Sequence, residues 1–153
     1  LNDQIHHEIT NFYIYRNLAG IADNMSLLGM KDWLHKRAME ELDHFESFYN
    51  HLSDRCCAPI LSEIQTQKDV RPKSALEIFE LALKTEEGTT EKLKAIHNLS
   101  LVLKDGVAEE IILKFLKEQI EEEKTITDII NRLKLAGEGL GVLQVDMWLG
   151  ESK

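Results

Sequence analysis

Four stretches of helical periodicity, each roughly 25 to 30 residues long, dominate this chain of 153 residues. They cover about residues 2–28, 31–55, 73–100 and 107–136, and a short fifth stretch covers about 140–150. A helix of that length rises about 40 Å. Four such rods in a chain this short predict an all-α bundle, one domain over residues 1–153. The connections set its topology. The first and second helices are joined by Leu28-Gly29-Met30-Lys31, and the third and fourth by the run L-K-D-G-V at 103–107. Both pairs are expected to be antiparallel hairpins. The link from Cys56 to Pro72 is much longer, with Pro59 near its start, and is long enough to return along the whole bundle. Gly137, Gly139 and Gly141 stop the fourth helix before the fifth begins.

An apolar seam with helical spacing can be laid on each long helix, and a carboxylate interrupts every one. The first seam reads Ile5, Glu8, Phe12, Tyr15, Ala19, Ala22; the second reads Leu34, Ala38, Glu41, Phe45, Phe48, Leu52. The third reads Ala75, Phe79, Ala82, Glu86, Thr89, Leu93, Ile96; the fourth reads Ala108, Ile112, Phe115, Gln119, Glu122, Ile126, Ile129, Leu133. Glu8, Glu41, Glu86 and Glu122 therefore point inward, and His44 lies one turn from Glu41. Buried carboxylates need partners, and inward lysines and arginines are too few to pair four of them. A pair of divalent or trivalent metal ions meets the need. Glu8 and Glu41 are 33 residues apart, as are Glu86 and Gln119, so the chain reads as two related helix hairpins. A single Glu-x-x-His on a helix is most often a solvated surface feature. Four seams that agree outweigh that reading. Oxygen donors with one imidazole suit iron better than zinc or copper.

At these residues the chain resembles the bacterial non-haem ferritins. The matching runs are I-H-H-E-I-T-N-F-Y-I-Y (5–15), E-E-L-D-H-F-E (40–46), F-E-L-A-L-K-T-E-E (79–87), E-Q-I-E-E-E (118–123) and L-A-G-E-G-L-G (135–141). The resemblance implies a ferritin-like bundle with one long crossover, a ferroxidase centre that oxidises Fe(II) with O2 or H2O2, and a 24-subunit shell that stores the ferric mineral. It implies that Glu8, Glu41 and His44 hold the first iron, with Glu41 bridging, and that Glu86 and Glu122 hold the second with Gln119 beside it. A third iron site would use Glu40, Glu118, Glu121 and Glu122. Tyr15 matches the tyrosine next to the family's centre; core packing is the competing reading. Two departures matter. Lys114 stands where the better-known bacterial members often carry tryptophan. Leu42 follows Glu41 where haem-binding bacterioferritins have methionine, and the fourth helix has no second Glu-x-x-His, so no haem is expected.

A net charge of −9 disfavours nucleic acid and is compatible with cations. No apolar run reaches a membrane span, so the expectation is a soluble, cytoplasmic protein. The adjacent Cys56 and Cys57 form no disulfide framework, and no third ligand lies near them in sequence. The sequence opens at Leu1 without methionine, which leaves the presence of a leader open. Glu123, the other histidines, both tryptophans and the four methionines read as surface or packing residues. The competing function is a small-oligomer di-iron oxidase or peroxidase of rubrerythrin type. Against it stand the missing rubredoxin-type Cys-x-x-Cys and the apolar fifth helix, which suits a symmetry axis.

Overall fold

The structure is a computed structural model that describes residues 1–64 and 71–151. It contains helices α1 (Asn2–Asn24), α2 (Leu28–Asp54), α3 (Ala75–Leu103), α4 (Gly106–Ala136) and α5 (Leu140–Glu151). The side-chain pairs give the directions. Tyr15 and His7 of α1 meet Glu86 and Thr89 of α3, so those helices are antiparallel. Arg37 of α2 meets Glu122 of α4, while Phe48 meets Phe115, so these are antiparallel too. With α1–α2 and α3–α4 as hairpins, α2 and α3 must run parallel, and the chain crosses the length of the bundle between them. The start of that crossover is held beside α1: Ile60 exchanges two hydrogen bonds with Asn2, and the Ser62 N–H donates to His6 Nε2 at 2.8 Å. This is the bundle, long crossover and fifth helix that the seams predict; residues 65–70 of the crossover lie outside the described residues.

The interior has two apolar clusters. One gathers Tyr15, Leu18, Leu34, Phe79, Ile126 and Ile129; the other gathers Ile5, Phe48, Leu93, Ile112 and Phe115. On every helix the residues between them are polar: Glu8 and Asn11, Glu41 and His44, Glu86 and Thr89, Gln119 and Glu122. A polar layer is thus sealed between two greasy ones. Only hydrogen bonds, ion pairs or bound cations make such a layer tolerable.

The first turn is not where the glycine suggests. The chain reverses at Met25–Leu27, with Ser26 left-handed (φ 61°) and the Leu27 N–H donating to the Ala22 carbonyl. Leu28-Gly29-Met30-Lys31 instead forms the first turn of α2. Gly29 is a close-approach residue: a Cβ there would lie 1.9 Å from the Asp146 carbonyl oxygen of α5. The contact also completes the helix start. Leu27 offers no capping side chain, and the buried Asp146 accepts the Met30 N–H at 2.7 Å. The fifth helix therefore docks on its own subunit's α2 and α4, in addition to any part in a symmetry axis. Replacing Gly29 with alanine should force α5 away and break this cap. We expect a loss of about 2–4 kcal/mol and a melting temperature lower by about 5–10 °C, read by circular dichroism. An unchanged melting temperature would show that α5 does not need this approach.

The starts of α3 and α4 are capped locally, whereas Leu1 offers α1 no capping side chain. The Ser74 hydroxyl accepts the Glu77 N–H, and the Glu77 carboxylate in turn accepts the Lys73 N–H, which sets the start of α3 at Ala75, two residues after the expected start at about 73. Asp105 caps α4 through the Ala108 N–H and is held by Arg55 at 2.8 Å.

Candidate metal centre

Glu8, Glu41 and His44 bring one donor atom each to within 4.8 Å of one another. The two carboxylates are almost wholly buried, and His44 Nδ1 stands 4.0 Å from each. The His44 ring packs edge-on to Phe115 at 5.1 Å, which fixes its plane. Gln4 Nε2 donates to Glu8 Oε1 at 2.6 Å, and Asn11 Nδ2 donates to Glu41 Oε2 at 3.3 Å. Asn11 also donates to Thr89 Oγ1, which contacts His7 Nε2 at 2.9 Å. Asn11, which touches Glu41, is therefore itself held by α3, whereas Gln4 Oε1 is buried with no hydrogen-bond partner among the described residues.

Glu86 and Glu122 form the other half. Glu86 is fully buried; it accepts from the Tyr15 hydroxyl and from Gln119 Nε2 at 2.9 Å. Gln119 also donates to the Glu86 carbonyl, so its amide is tied to α3 at both oxygens. Arg37 Nη2 lies 2.9 Å from Glu122 and 3.7 Å from Glu86, and its Nη1 donates to Glu40 at 2.7 Å. Beyond Arg37 a cleft of about 360 Å³ opens to solvent, lined by Glu40, His44, Glu118, Glu121, Glu122 and Thr125.

Crowding shows in the proton affinities. Burial, above all, raises the Glu8 carboxyl to about 7. Burial, with the charges of Glu8 and Glu86 next, puts Glu41 well above the usual carboxylate range. Glu122 rises to about 8, again chiefly through burial and against the pull of Arg37. Burial lowers His44, which keeps its ring neutral and able to donate a lone pair. Tyr15 is held protonated by burial and by the Glu86 charge.

The donor set fits a hard metal ion. Glu8 Oε2 and Glu122 Oε2 are buried with no hydrogen-bond donor among the described residues, so acceptor lone pairs are left aimed into the layer.

A ferritin-like domain family matches residues 1–136. The chain belongs to the ferritin family. A chloroplast ferritin of Brassica napus is 33% identical over 156 residues, covering 97% of this chain. This chain spans 61% of that relative's length. A bacterial non-haem ferritin of Bacteroides fragilis is 25% identical over 154 residues, covering 99% of this chain and 94% of the relative. The open-pore ferritin of the hyperthermophilic archaeon Archaeoglobus fulgidus superposes with a TM-score of 0.94 at 27% identity, over 99% of this chain and 94% of that one.

Within this ferritin the structure adds one residue to the sequence reading and corrects two expectations. Inward cations are few, as expected, but Arg37 is one of them and meets three carboxylates; it stands four residues before Glu41, and that spacing is the signal for it in the sequence. Asn11, not Phe12, takes the fully buried position of α1, because a carboxamide can hydrogen-bond Glu41 and Thr89 there. Glu123 is not simply solvated, since it is half-buried and accepts from Thr90. Lys114 lies on the exposed side of α4, 3.7 Å from Glu118 and 5.2 Å over the Phe115 ring. Glu40, Glu118 and Glu121 line the cleft rather than the buried layer. Cys56 and Cys57 are exposed and unbridged. No helix among the described residues is long and apolar enough to cross a membrane.

Proposed function

We propose that this ferritin stores iron, oxidising Fe(II) to Fe(III) at the buried polar layer and collecting the ferric product inside a cytoplasmic shell of 24 copies. The observation that carries the reading is the convergence of four carboxylates and one imidazole, from four helices, in a layer closed above and below by apolar side chains. In this reading Fe(II) is the substrate. Glu8, Glu41 and His44 take the first ion, and Glu41 bridges to a second held by Glu86 and Glu122. Gln119 orients Glu86 by its donated hydrogen bond. Glu40, Glu118, Glu121 and Glu122 form a third position at the cleft, where ions enter or wait. Carboxylate oxygens favour Fe(III) over Fe(II), so they ease the loss of an electron. Each of two Fe(II) ions gives one electron; dioxygen takes both, with two protons, and leaves as hydrogen peroxide. Peroxide as oxidant takes two electrons and two protons to give two waters. Tyr15, hydrogen-bonded to Glu86, stands at the edge of that transfer.

The shell is supported by the relatives' family and by apolar side chains left exposed on α5, among them Leu140, Leu143 and Met147. The reading is tested by adding Fe(II) aerobically to metal-free protein, separating the products by size and counting iron in each fraction. Hundreds of iron atoms eluting with a very large particle are expected. About two irons per chain on a dimer-sized species would replace storage with the rubrerythrin-type oxidase or peroxidase reading.

A further inference from the structure

Arg37 occupies the half of the centre that the second iron needs. It stands four residues before Glu41 and seven before His44, on the same inward stripe of α2. Its side chain is only 14% exposed. One guanidinium nitrogen reaches Glu122 at 2.9 Å and Glu86 at 3.7 Å, and the other holds Glu40 at 2.7 Å. The guanidinium carbon lies 5.7 Å from the centre of the Trp33 ring, which is backed by Phe79. The two halves of the layer are therefore unlike. Glu8 and Glu41 face an imidazole ring, whereas Glu86 and Glu122 face a guanidinium, a permanent cation.

The seat is also imperfect. Arg37 Nε and Nη2 are buried without a well-formed hydrogen bond, although Nη2 lies near two carboxylates. The arm on Glu40 points toward the cleft, whose Glu118 and Glu121 offer further oxygens. A long flexible side chain can thus withdraw from Glu86 and Glu122 while keeping its hold on Glu40.

Resting on the reading of this layer as a two-iron centre, we propose that Arg37 is a resident cation at the second iron position. It neutralises Glu86 and Glu122 when no metal is there, and a second metal ion must displace it toward Glu40 and the cleft. Loading is then sequential and unequal: the Glu8–Glu41–His44 position fills first, and the Glu86–Glu122 position fills against a competing charge. Arg37 is a positioning residue, acting on affinity rather than on the oxidation step.

Zn(II), which undergoes no redox chemistry here, is the probe, with the assembled protein as the sample. Occupancy of each position is read from anomalous scattering of crystals equilibrated at graded Zn(II), and affinities come from calorimetry. In the wild-type protein the second position should fill at about tenfold higher Zn(II) than the first. Arg37→Gln should tighten the second position by about tenfold or more and the first by less than about threefold. Arg37→Lys, which keeps the charge but loses the two-armed fork, should fall between them, and it guards against a poorly folding glutamine variant. Simultaneous filling of both positions in the wild type, or an unchanged second position in Arg37→Gln, would overturn the proposal and leave the two-metal reading intact. Zinc at neither position in the wild type would overturn both.

Discussion

Replacing Glu41 with glutamine should slow Fe(II) oxidation by at least about 100-fold, measured as the initial rise in ultraviolet absorbance of the ferric product. Glu41 is the carboxylate that belongs to both halves of the layer: it lies 4.0 Å from His44, feels the charges of Glu8, Glu86 and Glu122, and accepts from Asn11. A carboxylate here can hold two metal ions at once. A carboxamide has one weaker oxygen donor and no charge. The change is close to isosteric, and the Asn11 amide still finds an oxygen, so folding should survive. The metal-free variant should in fact melt no lower than the wild type, because one of several crowded buried carboxylates has gone. This pairing of a slow rate with an undiminished melting temperature separates a role in metal binding from a role in packing. A rate within about threefold of wild type would remove Glu41 from the bridge.

The same electrostatic pressure explains why the layer can be built at all. Each carboxylate sits within two helical turns of a buried apolar side chain on its own helix, so the chain cannot expel it without exposing Tyr15, Phe48, Phe79 or Ile126. Burial of those side chains holds the acidic groups in place, and protons, Arg37 and amide donors reduce their repulsion until metal arrives. The centre is poor in stability and rich in unsatisfied donor capacity, a common arrangement where a site must take up a substrate.

The carboxylates are legible in the sequence because burial is a periodic signal. Glu8, Glu41, Glu86 and Glu122 fall on apolar seams, and four such coincidences at a period of 3.6 residues are improbable by chance. Arg37 escapes the same test because a long side chain can start at the edge of a seam and end inside it. Phe12 and Asn11 exchange places because hydrophobicity alone ranks them in the wrong order; only the partners, Glu41 and Thr89, explain a buried carboxamide. Gly29 looks like punctuation between two helices but is a packing surface, since its reason lies on α5, more than a hundred residues away. Asp146 is silent in the sequence for the same cause: the amide it caps belongs to α2. Local periodicity writes the bundle and the inward acids, while caps, close approaches and counter-ions are set by contacts between distant elements.

Between about pH 5 and pH 8 the metal-free protein should become less stable as the pH rises, and saturating Zn(II) should remove that dependence. The sign follows from the shifts. Unfolded, Glu8 and Glu122 release their protons near 4.5; folded, they hold them to about 7 and about 8. The native state thus binds more protons across this window. Its stability is fully present below the unfolded value and is lost as the pH passes through the folded ones. For Glu8 alone the loss is on the order of 3 kcal/mol, and for the chain it corresponds to a melting temperature lower by about 6–12 °C. A bound metal ion replaces the protons, so its affinity should climb over the same interval and protons should appear in solution as it binds. Calorimetric binding in two buffers of different ionisation heat counts those protons. Glu8→Gln should keep its fold and flatten part of the slope. A wild-type melting temperature that rises from pH 5 to pH 8, or a slope identical in Glu8→Gln, would mean that these carboxyls are already ionised in the empty centre and that Arg37 and the amide donors alone keep the layer closed.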